Sequence, residues 1–290
     1  MKQHFNSLKE FINNYDSDIV HFCVANNGAS RLAINLAKSC KKHNIPLVCF
    51  GQDLKCLNKL SKYATTVNNI KENEYRLDIC KGYSKNYEDF GTDGFKKLTW
   101  MRYELCKAIL DSNRTVIYLD ADIVIKKNYE ENILNYFYED NSLDAIFQAE
   151  IEEEVCGGFF ALNKNSKEKI SKIFSEDFLS KNNYKSFDQD QRFINKVILK
   201  KENKLLKIKV LPKDNYPVGK WWYKHHKDIS NKTMLVHYNY IVGDFRKILK
   251  MIRHLDYFSF DFHYVIICYL KRFMSIINKN LKKIILKKYN

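Results

Sequence analysis

The sequence predicts an α/β protein built on a Rossmann-like, mainly parallel sheet with flanking helices. Three observations predict it. Strand-like and helix-like segments alternate from Asp18 to Ile70, apolar runs of strand length end in polar or glycine-bearing turns, and 45% hydrophobic residues over 290 positions supply a full core.

The elements follow in order. DIVHFCVAN (18–26) reads as a strand, ASRLAINLAKSCKKH (29–43) as a helix, IPLVCFG (45–51) as a strand, DLKCLNKLSKY (53–63) as a helix and TTVNNI (65–70) as a short strand. Asn26, Asn27 and Gly28 close the first strand, where open α/β sheets take their ligands, which makes Asn26 a candidate binding residue. No GxGxxG follows, so a dinucleotide fold is not supported. Residues 71–94 are polar, carry tyrosines and contain GTDG, and read as a loop over the site. Phe95, Leu98, Met101, Leu105 and Ile109 then recur at helical spacing, with Lys97 and Arg102 projecting from that helix. VIYLDADIVI (116–125) reads as one strand carrying Asp120 and Asp122, with the small Ala121 between them. A helix from about Tyr129, a strand DAIFQAE, an acidic run (Glu150, Glu152, Glu153, Glu154) and the apolar CGGFFALN come next. Paired glycines, Gly157 and Gly158, mark close approach of a backbone or a ligand. A helix around Ser166–Phe178, the segment DQDQRFINKVI and the strands KIKVLP and TMLVHYN complete the body. With no internal repeat and no clear linker, residues 1–255 read as one domain and 256–290 as a helical tail.

Alternate side chains of a strand share a face, so Asp120 and Asp122 point the same way, at a sheet edge. Adjacent like charges need a cation, and oxygen ligands suit Mg²⁺ or Mn²⁺, ions that commonly carry nucleotide phosphates. An isolated Asp-X-Asp is an ordinary polar turn; the remaining motifs decide.

Composition narrows the classes. Eight scattered cysteines without CxxC pairing suggest reduced core residues, neither a zinc site nor a disulfide framework. The N-terminus lacks an apolar core of signal-peptide length and no stretch reaches membrane-spanning length, which places the body in a reducing, cytoplasmic compartment. The net charge of +15 first suggests nucleic acid or an anionic membrane, yet residues 271–290 alone hold seven Lys/Arg and no acid. In that tail Leu270, Phe273, Ile277, Leu281 and Ile284 fall on one helical stripe among lysines, after an aromatic group of Tyr257, Phe258, Phe260, Phe262 and Tyr264. This is the pattern of a basic amphipathic helix lying on the inner face of an anionic membrane; a helix packed on the body is the plainer alternative.

Five motifs in order, over roughly residues 95–247, resemble the nucleotide-diphospho-sugar transferase family, retaining glycosyltransferases of the GT-A fold. FKKLTWMRYELCKAIL resembles its basic helix before the metal strand and VIYLDADIVI its DxD strand. CGGFFALN resembles its sugar-pocket strand, DQRFIN its Asp-Gln-X-X-X-Asn helix and HYNYIVGDFRK its C-terminal His-X-Asn…Gly…Lys segment. The resemblance implies Mn²⁺ or Mg²⁺ on Asp120, Asp122 and His237. It implies a nucleotide-sugar donor, a UDP-sugar, held by Lys97, Arg102, Ala121, Gly157, Gly158, Asn239, Gly243 and Lys247. Asp190 and Gln191 would sit at the donor sugar, chosen over Asp188–Gln189 because Asn195 then lies five positions after the aspartate; Asp188 suits an N-cap. Arg246 and Lys250 stand beside Lys247 as alternatives. A glycan, glycolipid or glycoprotein acceptor and retention of configuration are implied by resemblance alone. The Glu150–Glu154 run reads as a solvated loop before it reads as an acceptor contact.

Two other classes compete. A metal-dependent phosphohydrolase or nuclease would use the aspartates but leaves CGGFF and HYN…G…K without a purpose. A basic nucleic-acid-binding protein would use the charge but gives Asp120 and Asp122 none, and no specific nucleic acid is expected.

Overall fold

The computed structural model describes residues 3–51, 53–68, 86–88, 91–150, 154–200, 205–259 and 262–289. Its first part is β1 (His4–Phe5), α1 (Leu8–Asn14), β2 (Ile19–Val24), α2 (Ser30–Lys42), β3 (Leu47–Gly51), α3 (Leu54–Leu60) and β4 (Thr65–Asn68). Then come α4 (Asp93–Asp111), β5 (Thr115–Leu119), β6 (Ile123–Ile125), α5 (Glu130–Glu139), β7 (Ala145–Ala149) and β8 (Val155–Leu162). The last part holds α6 (Lys167–Ile173), α7 (Glu176–Lys181), α8 (Asp190–Phe193), β9 (Ile208–Leu211), α9 (Gly219–Ile229), β10 (Leu235–His237), α10 (Asp244–Arg253) and α11 (Phe262–Tyr289).

Eight strands form one sheet in the order β1-β4-β3-β2-β5-β8-β7-β9. All neighbouring pairs are parallel except those of β8, which runs antiparallel to β5 and β7. This is the mixed, mainly parallel α/β sheet that the alternating segments predict. The chain runs from β2 outward through β3 and β4, then returns to β5 on the other side of β2. That reversal opens a crevice at the carboxyl ends of β2 and β5, where Asn26 and Asp120 stand.

Period-two side chains divide the core. On β5, Val116 and Tyr118 join Trp100, Tyr103 and Phe160 on one face, while Ile117 and Leu119 join Ala33, Tyr129 and Phe159 on the other. A third cluster, with Trp222, Val236, Tyr238, Ile248 and Cys268, ties β10, α9, α10 and α11 together. The seven cysteines in the described residues are buried and free; Cys80 lies outside those residues.

The structure corrects several expectations. Val116–Ile125 is two strands: the chain turns at Asp120-Ala121-Asp122, Ile123 N–H bonds Asp120 O at 3.0 Å, and β6 leaves the main sheet to pair antiparallel with β10. Apolar periodicity runs unbroken across a turn that contains neither glycine nor proline. The helix expected from Phe95 starts two residues earlier, because the Thr92 hydroxyl accepts the Phe95 N–H at 3.1 Å and caps it. The helix expected over Ser166–Phe178 breaks into α6 and α7 at Ser175, which caps the second piece. Asp188 does not cap α8; Gln189 holds the cap position and Asp188 pairs with Arg192 at 2.8 Å. Most of the expected loop 71–94, together with Glu152, Glu153, Phe260 and Phe262, falls outside the described side chains.

Candidate active site

Each arm of the site is fixed by ordinary packing. Along α4, Trp100 meets Tyr103, Tyr184 and Phe193 edge-on, and Tyr103 stacks on Phe160 and Phe174. Such pairs contribute about 0.5–1.5 kcal/mol each beyond burial and leave α4 little freedom to rotate. Arg102, between those two rings in sequence, is buried and points at the carboxyl ends of the strands. Its Nε donates to Asp190 Oδ2 at 3.0 Å, Nη2 to the same oxygen, and Nη1 to Asp120 Oδ1 at 3.3 Å. Tyr103 Oη donates to Asp190 Oδ2 at 2.6 Å and Tyr118 Oη to Asp120 Oδ1 at 2.6 Å. Burial raises both phenols, so they stay protonated donors.

Asp120, Asp122 and His237 meet in the crevice, their donor atoms all within 4.8 Å of one another. His237 Nε2 lies 3.5 Å from Asp120 Oδ2 and 3.2 Å from Asp122 Oδ1. Its Nδ1 faces Gln148 Oε1 at 3.2 Å, and Gln148 Nε2 donates to Tyr216 O at 3.0 Å. The amide orientation is thereby set: its oxygen faces the ring, Nδ1 carries the proton, and Nε2 is turned toward the carboxylates. Burial opposes a charge on His237, but Asp122 and Asp120 outweigh it and raise the imidazole well above its usual range. Asp122 is held low, against its own burial, by Lys247 and His237. A set of two carboxylate oxygens and one imidazole nitrogen fits Mn²⁺ or Mg²⁺, and two adjacent like charges, one of them buried, already drawing in a proton and an ammonium are the chemistry such a cation answers.

The backbone makes room for this cluster. β8 slips register against β7 between Phe147 and Gln148, so Gly157 and Gly158 lie in a bulge. A Cβ on Gly158 would stand 2.0 Å from His237 Cε1 and 2.7 Å from Asp120 Oδ2; one on Gly157 would stand 3.0 Å from Arg102 Nη2. Gln191 Oε1 accepts the Gly157 N–H at 3.0 Å. Asn195, one turn on in the helical segment that continues α8, bonds Val155 N–H and C=O at 2.9 and 3.0 Å, fastening that segment to β8 as a strand partner would.

At the other end, Gly243 takes φ +91°, a left-handed turn that starts α10. One turn in, Lys247 Nζ reaches Asp122 Oδ2 at 2.6 Å. Its neighbours do not compete: Arg246 bonds Ser275 Oγ at 3.3 Å, and Lys250 lies 4.7 Å over the Tyr223 ring. Asn239 Oδ1 accepts the Gly219 N–H at 2.6 Å, which anchors the strand end carrying His237.

Residues 53–251 match the family profile described as nucleotide-diphospho-sugar transferase. The chain belongs to the nucleotide-diphospho-sugar transferase family. No curated protein sequence matches this transferase-family chain. Among solved structures it is similar to the glycosyltransferase GlyE of Streptococcus pneumoniae TIGR4, at 13% identity and TM-score 0.53, over 89% of this chain and 64% of GlyE. Mouse xyloside xylosyltransferase 1 in its apo form matches at 14% identity and TM-score 0.49, over 77% of this chain and 98% of that one. At these identities the likeness to GlyE establishes the fold, the GT-A arrangement, and this transferase-family chain spans less than two thirds of GlyE's length.

Of the residues singled out in the sequence, Arg102, Asp120, Asp122, Gly157, Gly158, Asp190, Gln191, His237 and Lys247 converge. Ala121 sits in the turn between the aspartates, packed on the core. Asn26 is buried, its oxygen accepting from Ala29 N–H at 2.9 Å and its nitrogen donating to Asn86 O at 2.5 Å, so it secures the loop after β2. Lys97 is five positions before Arg102, hence about 140° around the helix, and no bond among the described residues joins it to the cluster. Sequence reasoning passed over Tyr103, Tyr118 and Gln148. Tyr118 shares Asp120's strand face, and Gln148 is a buried amide inside an apolar strand; both are legible signals.

Proposed function

We propose that the protein is a metal-dependent glycosyltransferase that moves a sugar from a nucleotide-diphosphate donor, a UDP-sugar, to a hydroxyl of a glycan, glycolipid or glycoprotein, with retention of configuration. The observation that carries the reading is the joined site: three side chains that could hold a cation, with Lys247 on one side and Gly157, Asp190 and Gln191 on the other. Phosphohydrolase or nuclease chemistry would give that second half no purpose.

Asp120, Asp122 and His237 would hold Mn²⁺ or Mg²⁺, which when bound neutralises charge developing on the departing diphosphate. Lys247, freed from Asp122 by the cation, would place its ammonium on the same phosphate. Asp190, buried and oriented by Arg102 and Tyr103, keeps acceptor capacity for donor-sugar hydroxyls; the glycine bulge lets the sugar lie against backbone. Gln191, fixed by Gly157, would lie beside the anomeric carbon. A front-face displacement asks little more of the protein than charge and position, since the leaving phosphate can take the acceptor's proton.

The tail supports a second part of the reading. Tyr264, Val265 and Cys268 of α11 pack on the body, while Ile266, Ile267, Tyr269, Leu270, Phe273, Met274 and Ile276 are exposed beside Lys271 and Arg272. No helix among the described residues is long and apolar enough to cross a membrane. α11 would lie on an anionic bilayer surface, holding a cytoplasmic enzyme near lipid-borne acceptors.

The test is a panel of sugar nucleotides incubated with purified protein and Mn²⁺, with and without EDTA, scored for nucleoside diphosphate release against Asp120→Asn/Asp122→Asn. Metal-dependent release from one donor, absent in the double variant, is the expected result. Release that ignores EDTA and the substitutions would overturn the metal assignment.

A further inference from the structure

The loop between β10 and α10 carries a side chain that the donor half of the site does not use. Tyr240 takes φ +63°, left-handed backbone that a tyrosine seldom adopts, and is 54% exposed. Strain of this kind persists where surrounding contacts over-determine it, and it clusters at ligand clamps. Here the contacts can be followed atom by atom. Tyr240 Oη donates to Glu150 Oε1 at 2.7 Å. Glu150 is buried, and its Oε2 accepts from Gln191 Nε2 at 3.4 Å. Gln191 Oε1 in turn accepts the Gly157 N–H. Tyr240 is thus reached from the sugar pocket through Glu150, whereas Lys247 is reached through Asp122. The tyrosine stands at the sugar end of the site, away from the phosphate end.

Exposure separates it from the donor pocket. Arg102 and Asp190 are almost wholly buried, while the Tyr240 ring and the neighbouring Val242 are open to solvent. A ring whose polar tip is tied down and whose face is open suits the apolar C–H face of a pyranose, whose hydroxyls stay free for water or for the reaction. Glu150, expected from its acidic neighbours to belong to a solvated loop, is the buried group that sets the ring.

We propose that Tyr240, held by Glu150, is the platform on which the acceptor pyranose stacks, and that Gln191 joins this platform to the donor pocket. The proposal rests on the transferase reading above. Glu150 acts as a positioning residue; only the ring touches the sugar.

Saturation-transfer NMR tests this with methyl β-D-galactopyranoside, methyl α-D-glucopyranoside and lactose as probes, in the presence of UDP and Mn²⁺. The wild type should contact at least one saccharide, Tyr240→Phe should keep that contact, and Tyr240→Ala should lose it, while UDP binds all three proteins equally. In transfer assays the acceptor KM of Tyr240→Ala should rise roughly tenfold with the donor KM unchanged. Saccharide contact equal in Tyr240→Ala and wild type, absence of contact in UDP-loaded wild type, or loss of UDP affinity in Tyr240→Ala would each overturn the platform. Failure of wild-type protein to bind UDP with Mn²⁺ would instead sink the transferase reading beneath it.

Discussion

Gly158 sits where the smallest addition would do the most damage. A methyl group there overlaps the buried His237 ring and the Asp120 carboxylate, and the clash falls on groups with fixed partners. Gly158→Ala should therefore lower Mn²⁺ affinity by roughly 10- to 100-fold, the usual range for displacing a ligand through its surroundings, read by calorimetric titration of Mn²⁺. Unchanged affinity would mean that His237 does not ligate. Arg102 illustrates a different residue-scale dependence, because it answers Asp190 deep in the protein. Arg102→Ala strands that carboxylate with only the Tyr103 hydroxyl and should destabilise by about 3–5 kcal/mol in urea unfolding. Arg102→Lys should recover little, since a single ammonium cannot span Asp190 and Asp120 as the guanidinium fork does. These roles were partly legible beforehand. Asp120, Asp122 and His237 stand out as polar residues in apolar surroundings and Asp190 through the resemblance to an Asp-Gln-X-X-X-Asn helix, but the orienting phenols and Gln148 look like core composition until the fold turns them inward.

Elements were most legible where a segment satisfies itself. β2, α2, β3, α3 and β4 agree with the alternation read from the sequence to within a few residues, because each carries its own period. Strands with distant partners were still legible as strands, but breaks and helices set by such partners were not. The turn at Asp120–Asp122 exists because β6 pairs with β10, more than a hundred residues later, and α9 buries only Gly219, Trp222 and Ile229, too few to show a helical stripe. α11 begins within the aromatic group expected before it, and the expected stripe through Leu270 and Phe273 widens into an exposed apolar face with Ile266, Ile267, Tyr269, Met274 and Ile276, while Leu281 and Ile284 lie outside the described side chains. Removing residues 270–290 should cut binding to phosphatidylglycerol vesicles sharply and leave nucleotide release in solution unchanged, each basic residue contributing about 1 kcal/mol near an anionic surface. Equal vesicle binding by the truncated and full chains in a sedimentation assay would remove the membrane role.

At the scale of the whole molecule, one acid-sensitive ion pair and the ligand site lie at opposite ends of the sheet. Toward the start of β2, His21 Nε2 bonds Glu130 Oε2 at 2.6 Å and holds the Glu130 carboxyl below its ordinary range. A depressed carboxyl contributes stability above its unfolded value, near 4.3, and that contribution fades as pH falls through the folded value. Glu130→Gln should thus differ from wild type at pH 7 and approach it toward pH 3 in thermal melts. The site at the carboxyl ends draws on α4, β5, β8, α8, β10 and α10, segments from Arg102 to Lys247 that meet only in the folded state. A donor and cation bound there cannot bind the unfolded chain in the same way, so they must stabilise the whole fold by mass action. At a hundredfold excess over Kd the gain is about 2.7 kcal/mol, and for a domain of this size each kcal/mol moves Tm by about 2–4 °C. UDP with Mn²⁺ should raise Tm by about 5–11 °C, UDP with EDTA by much less, and Asp122→Asn should abolish the metal-dependent part. A full shift in EDTA would show that the nucleotide binds without the Asp120–Asp122–His237 cluster, and the phosphate end of the site would then rest on Lys247 and its helix alone.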